Sequence, residues 1–315
     1  MTIASNHMND PAIVPHWDCP RELQFVTEVE GTEVPNTKKL IKVHPNGSRE
    51  VAAYVGAQQG FESHIVFFGE VVQAIKSRVS QHEFETASVK WQHSHNGLFV
   101  VLDVSFPAIH SNFEHNGLVW DKSLRLIVVR SINGTVATSA FFGDIDWFCL
   151  NTLISGNFEG IRQRNTINFN PVSFANRIPV IKDKFLENAH IEQEYSKIKV
   201  IPGTTTKLFE ELFPLPPKED EELSKPRISR KVEEFQTLYE EEANVRGQTL
   251  YSFVSAFSQY SAHRPLRGKV IGKCNTQALR NHQRELEVQK MMRSEPWNEF
   301  LLTHHAPALL QSKLH

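Results

Sequence analysis

Asn-Gly pairs recur at Asn46-Gly47, Asn96-Gly97, Asn116-Gly117 and Asn133-Gly134. Asn-Gly accepts the positive φ of a two-residue turn, and such a turn returns the chain antiparallel to itself. Around three of the pairs the flanks are apolar: Leu40 to Val55, Ala87 to Ser105 and Leu124 to Phe142. These stretches predict hairpins and hence an antiparallel sheet. The HNGL of His95 to Leu98 recurs at His115 to Leu118, which reads as shared turn chemistry and not as a duplicated domain. Between the first two hairpins, Ile65 to Ile75 repeats apolar residues at helical spacing and predicts a buried helix.

After the third hairpin, Asp144 or Asp146 is placed to cap a helix over Ile145 to Ile154, with Cys149 inside and a stop near Gly156. A strand at Thr166 to Phe169 and a helix at Ser173 to Ala189 follow. Prolines and acids in Phe213 to Glu222 read as a linker. Beyond it, helices are predicted over Val232 to Glu242, Thr249 to Ala262 (the two joined at Gly247) and Thr276 to Met292, with a short helical end from Pro296. The expected fold class is α+β: an antiparallel sheet of hairpins flanked by helices, with a C-terminal helical region. The expected domains are an N-terminal arm over 1–35, the sheet domain over 36–202, the linker over 203–228 and the helical region over 229–315.

A chain of 315 residues can bury a substantial core without staples. Its three cysteines, Cys19, Cys149 and Cys274, are odd in number, widely spaced and without a CxxC or CxxH partner, which supports neither a disulfide framework nor a zinc finger. The first residues show no secretory pattern and nowhere do about 18 apolar residues run together. A cytoplasmic protein with no membrane partner is expected. No phosphate-binding glycine loop, dinucleotide fingerprint, zinc-protease motif or nucleophile elbow occurs. Cys149 has no base among its chain neighbours, and His93 with His95 lacks a third ligand at a recognisable spacing. No cofactor and no metal are therefore expected, and the chain reads more readily as a non-enzyme.

Charge carries the functional signal. The net charge of -2 is uninformative, but Ala262 to Arg284 holds six basic residues and no acid, and Gly160 to Lys182 holds Arg162, Arg164, Arg177 and Lys182 with no acid before Asp183. Such blocks are either solvated faces balanced in space or a surface for phosphates. The candidate nucleic-acid-binding residues are Arg162, Arg164, Arg177, Arg264, Arg267, Lys269 and Lys273, with Tyr260 and His263 beside them. Trp91, Trp120, Trp147 or Tyr260 would supply stacking faces, unless they are core.

Two motifs carry a resemblance. Ser131-Ile132-Asn133-Gly134, then Phe148-Cys149-Leu150-Asn151-Thr152-Leu153, then Asn165-Thr166-Ile167-Asn168 resemble the hairpin, the Cys-x-Asn-x-Leu element and the "H-x-x-N" element of a phage and plasmid family, domain of unknown function 932. Thr249, Leu250, Tyr251, Ala256, Tyr260 and His263 are similar to its second landmark. The histidine of "H-x-x-N" is Asn165 here, and Ser255 replaces an asparagine. The resemblance implies a mobile-element setting and no established activity. The order of helix, hairpins and helix is also similar to that of phage single-strand-annealing recombinases. The functional expectation is a phage or mobile-element protein that binds nucleic acid, with single-stranded DNA as partner, in recombination or replication and as a homo-oligomer. Two alternatives stand beside it: a protein that inhibits a host defence or replication factor by binding it, and a metal-dependent nucleic-acid enzyme using Asp144 and Asp146.

Overall fold

A computed structural model of the chain describes residues 2–7, 20–30, 32–94, 97–146, 151–214, 221–263 and 277–308. The fold is α+β, built on antiparallel sheets. The large sheet has the order β1 (Thr2–His7), β5 (Ser88–His93), β6 (Phe99–His115), β7 (Leu118–Ser131), β8 (Thr138–Asp146) and β9 (Asn151–Gln163). The small sheet is a meander of β2 (Pro20–Val29), β3 (Thr32–Val43) and β4 (Arg49–Gly56). The turns at Asn46-Gly47, Asn116-Gly117 and Asn133-Gly134 each close a hairpin, β5 and β6 pair as a further hairpin, and Gly47, Gly97, Gly117 and Gly134 all have positive φ.

The central strands β6 and β7 are buried on both faces over Phe99–Phe106 and Leu124–Ser131, which is why they read as continuous apolar runs. On one face lies a core formed with α1 (His64–Lys76), α2 (Gln81–Thr86), α3 (Pro171–Ala175) and the start of α4 (Lys182–Lys197), including Phe67, Trp91, Leu102, Phe142 and Phe174. Ser63 caps α1 through Val66 N–H, and Ser80 with Glu83 forms a capping box on α2. On the other face Phe99, Val101, Ile127, Val129 and Phe141 meet Leu286 of α8 (Gln277–Met291). A shift in register between Phe106 and His110 separates these cores from the distal ends of β6 and β7. There Phe113 and Trp120 join α5 (Thr204–Leu212), α6 (Glu221–Arg246), α7 (Leu250–His263) and α9 (Glu295–Thr303) in a further core. The C-terminal helices thus cover the sheet.

Several expectations are corrected. No helix runs over Ile145 to Ile154: β8 extends through Asp146 and β9 begins at Asn151, paired as Asp146↔Asn151 and Ile145↔Thr152. Short apolar runs fit either period, and pairing to β7 decides for strand. Residues 147–150, with Cys149, lie outside the described residues. Thr166 forms a single bridge to Gln59 where a strand was expected, and Ser173 to Ala189 divides into α3 and α4 around Pro179. The arm over 1–35 contributes β1 and β2, and the span 203–228 contains α5 and the start of α6. No helix among the described residues is long and apolar enough to cross a membrane.

Candidate functional site

The β7–β8 turn is held by Asn133, whose Oδ1 accepts from the Ser131 hydroxyl and from Thr135 N–H and hydroxyl at 3.3 and 2.9 Å. Beside it, residues 56–60 leave β4 and lock onto the segment after β9. Gly60 N–H donates to Asn165 O at 3.1 Å, Ile167 N–H to Gln58 O at 3.1 Å, and the Gln59 amide to Ile132 O. Gly60 has to be glycine, because a Cβ there would lie 2.0 Å from Thr166 O. Between these segments is a cavity of about 460 Å³ lined by Gly56, Gln59, Arg162, Arg164 and Asn165.

A second cavity of about 430 Å³ shares Thr135, Val136, Ala137 and Arg162 with the first, so the two adjoin along the β7–β8 turn and are taken together as one groove. Its floor includes Phe141, α8 supplies His282, Gln289 and Lys290, and the turn after α8 supplies Arg293. His282 and Gln289 lie seven residues apart, two turns of α8, and so share one face of the helix. The groove therefore carries Arg162, Arg164, Lys290 and Arg293, and among the described residues no carboxylate lines it.

Each cavity also contains buried polar atoms without a hydrogen-bond partner in the protein. Asn165, 3% exposed, leaves both amide atoms unpaired in the first, and His282, also 3% exposed, leaves Nδ1 unpaired in the second. Burial and the nearby Arg125 guanidinium push the His282 imidazole down to about 4. It is neutral at ordinary pH, with one nitrogen a donor.

The expected basic residues divide. Arg162 and Arg164 are exposed and belong to the groove. Arg177, also exposed, donates to Gln163 Oε1 at 3.0 Å. Gln163 alternates with Arg162 across β9, so Arg177 sits on the opposite side of that strand. Tyr260 is 3% exposed inside the helical core, with its hydroxyl donating to Glu287 at 3.2 Å, and offers no open face for a base. Trp91 and Trp120 are likewise core. His263 ends α7, but its side chain, together with Trp147 and Arg264, Arg267, Lys269 and Lys273, lies outside the described residues. Sequence reasoning missed Lys290 and Arg293 as groove residues, since Glu285, Glu287 and Glu295 mask these cations in the linear sequence, and it took Asn165 only as part of a motif. Projecting α8 on a helical wheel would have separated them.

Asp144 and Asp146, expected as caps or metal ligands, are interior strand residues on one face of β8. Lys122 Nζ lies 3.2 Å from Asp144 and pairs also with Glu192, while Arg246 reaches Asp146 at 3.2 Å and Glu242 at 2.5 Å. Burial opposes the charge on Lys122, but Asp144 and Glu192 prevail and hold its ammonium well above the usual lysine range. Burial pushes Glu192 up, against the pull of Lys122. Arg246 also lies 3.6 Å over the Trp120 ring. A third buried cation, Arg125, grips Asp103 at 2.7 and 2.8 Å and reaches Glu285 of α8 at 2.5 Å. These networks tie helices to the sheet.

No curated protein and no solved structure matches the chain. The family described as domain of unknown function (DUF932) matches residues 109–294, a span that holds every basic residue of the groove as well as Asn165 and His282. That match covers more than half of the 315 residues, and the chain belongs to the DUF932 family.

Proposed function

We propose that the protein binds nucleic acid, with the phosphate backbone lying along the groove between the β7–β8 turn and α8. The observation that carries this reading is the union of two cavities lined by Arg162, Arg164, Lys290 and Arg293 without an acid. A polymer of regularly spaced phosphates suits a row of cations far better than a single small anion does. The metal-dependent enzyme is the weaker reading, because Asp144 and Asp146 are already neutralised by Lys122 and Arg246.

Fluorescence anisotropy with labelled oligonucleotides, single-stranded and duplex, tests the reading at about 50 and 200 mM salt. Four phosphate contacts predict roughly 50-fold weaker single-strand binding over that change. The double variant R162E/R164E alters two exposed side chains, so its melting temperature should match the parent while its affinity at 50 mM salt falls by more than about tenfold. Flat anisotropy for both oligonucleotides at 50 mM salt would overturn the proposal.

A further inference from the structure

We infer that the second cavity receives an unpaired nucleobase, so that the groove holds a single strand with its phosphates on the cations and one base inserted between β8 and α8. The inference rests on the nucleic-acid reading above and deepens it. The cavity lies where one face of the sheet meets α8. Ser139 and Phe141, two apart on β8, share that face, and the register Ser139↔Arg162 puts Arg162 on it as well. Phe141 meets His282 of α8 there, with ring centroids 5.1 Å apart.

The two cavities differ in what lines them. Phe141 and Leu286 line the second and not the first. Leu286 and Val136 pack against the apolar cluster around Phe141 and yet stay only half-buried, so part of their surface faces the cavity. Arg162, Lys290 and Arg293 line the same space, and among the described residues no carboxylate does. Apolar walls with cations beside them fit a ligand that joins an apolar, flat body to an anionic group. A bare phosphate would leave Leu286 and Val136 uncovered, and an aliphatic chain would leave the cations without an anion. A nucleotide of a strand meets both requirements, with its base against the walls and its phosphates on Arg162, Lys290 and Arg293. The volume of about 430 Å³ falls within the range of about 300–1,000 Å³ that encloses small organic molecules. A single strand can place a base there directly, whereas a duplex must first unstack and unpair one.

The test compares, on the full chain at about 50 mM salt, a labelled oligothymidine with a labelled strand of the same length and charge whose sugars carry no bases. The parent protein is expected to bind the baseless strand about 5- to 150-fold more weakly, the loss of one enclosed base. L286W fills the second cavity from α8, leaves the first untouched and removes no cation. It is expected to bind both strands alike, with the affinity that the parent shows for the baseless one. Melting temperatures guard against an unfolded variant, and L286F, the smaller filling, takes the place of an L286W that does not fold. The two-strand comparison on the parent needs no variant at all. Equal binding of the two strands by the parent, or a folded L286W that keeps the parent's preference for the strand with bases, would overturn this inference while leaving the groove proposal standing. Absence of any binding by the parent protein would instead remove the reading beneath it.

Discussion

Individual residues show how much a side chain's meaning depends on what surrounds it. His282 was only one of 15 histidines in the sequence, yet burial and Arg125 set it apart. Its native value of about 4 lies below the ordinary 6.5, so the unfolded chain binds more protons than the native one between those values. Stability from this group is full above pH 6.5 and is lost as pH falls toward 4. By pH 4.5 the loss is on the order of 2–3 kcal/mol. Thermal melts of H282Q should show a smaller drop between pH 7 and pH 4.5 than the parent, and an identical drop would refute the assignment. Asp144 and Asp146 make the converse point. Read locally they resemble helix caps, whereas on a strand their two-residue spacing puts both on the face that meets Lys122 and Arg246.

Elements were legible to the extent that their signals were local. The Asn-Gly hairpins and α1 follow from turn chemistry and apolar spacing, and α7 and α8 from periodicity; the three helices fall within one residue of their expected bounds, whereas the hairpin strands run well past theirs, β3 starting at Thr32 and β6 ending at His115. β9 was missed because its partner strand, not its own pattern, makes it a strand, and α5 because its nine residues fall within the stretch read as a linker, next to the proline- and acid-rich residues that follow it. The docking of α8 rests on an interaction no local pattern discloses, the reach of Arg125 on β7 to Glu285. Replacing Arg125 with methionine strands Asp103 and Glu285 as buried charges and should cost about 3–5 kcal/mol. Denaturant titration would show this, and because α8 carries Lys290 and leads into Arg293, oligonucleotide affinity should fall with it. A titration midpoint within error of the parent would contradict the network's role.

Across the whole molecule, β6 and β7 form the middle of the large sheet and are enclosed from both faces, while β9 lies at one edge of it. Amide hydrogen exchange should therefore be slowest at Val100 to Val104 and Leu126 to Val129, and distinctly faster along β9 and in the small sheet. Uniform protection would mean that the edge and the small sheet unfold only with the centre. By itself the sequence determined the α+β class, the turns and the supply of cations, because turn geometry, residue period and charge are properties of short stretches of chain. Only the tertiary structure decided which cations share a groove, bringing Arg162 and Arg164 beside Lys290 and Arg293 and setting Tyr260 inside the core, because that choice depends on how helices distant in sequence pack across the sheet and on which carboxylates they bury.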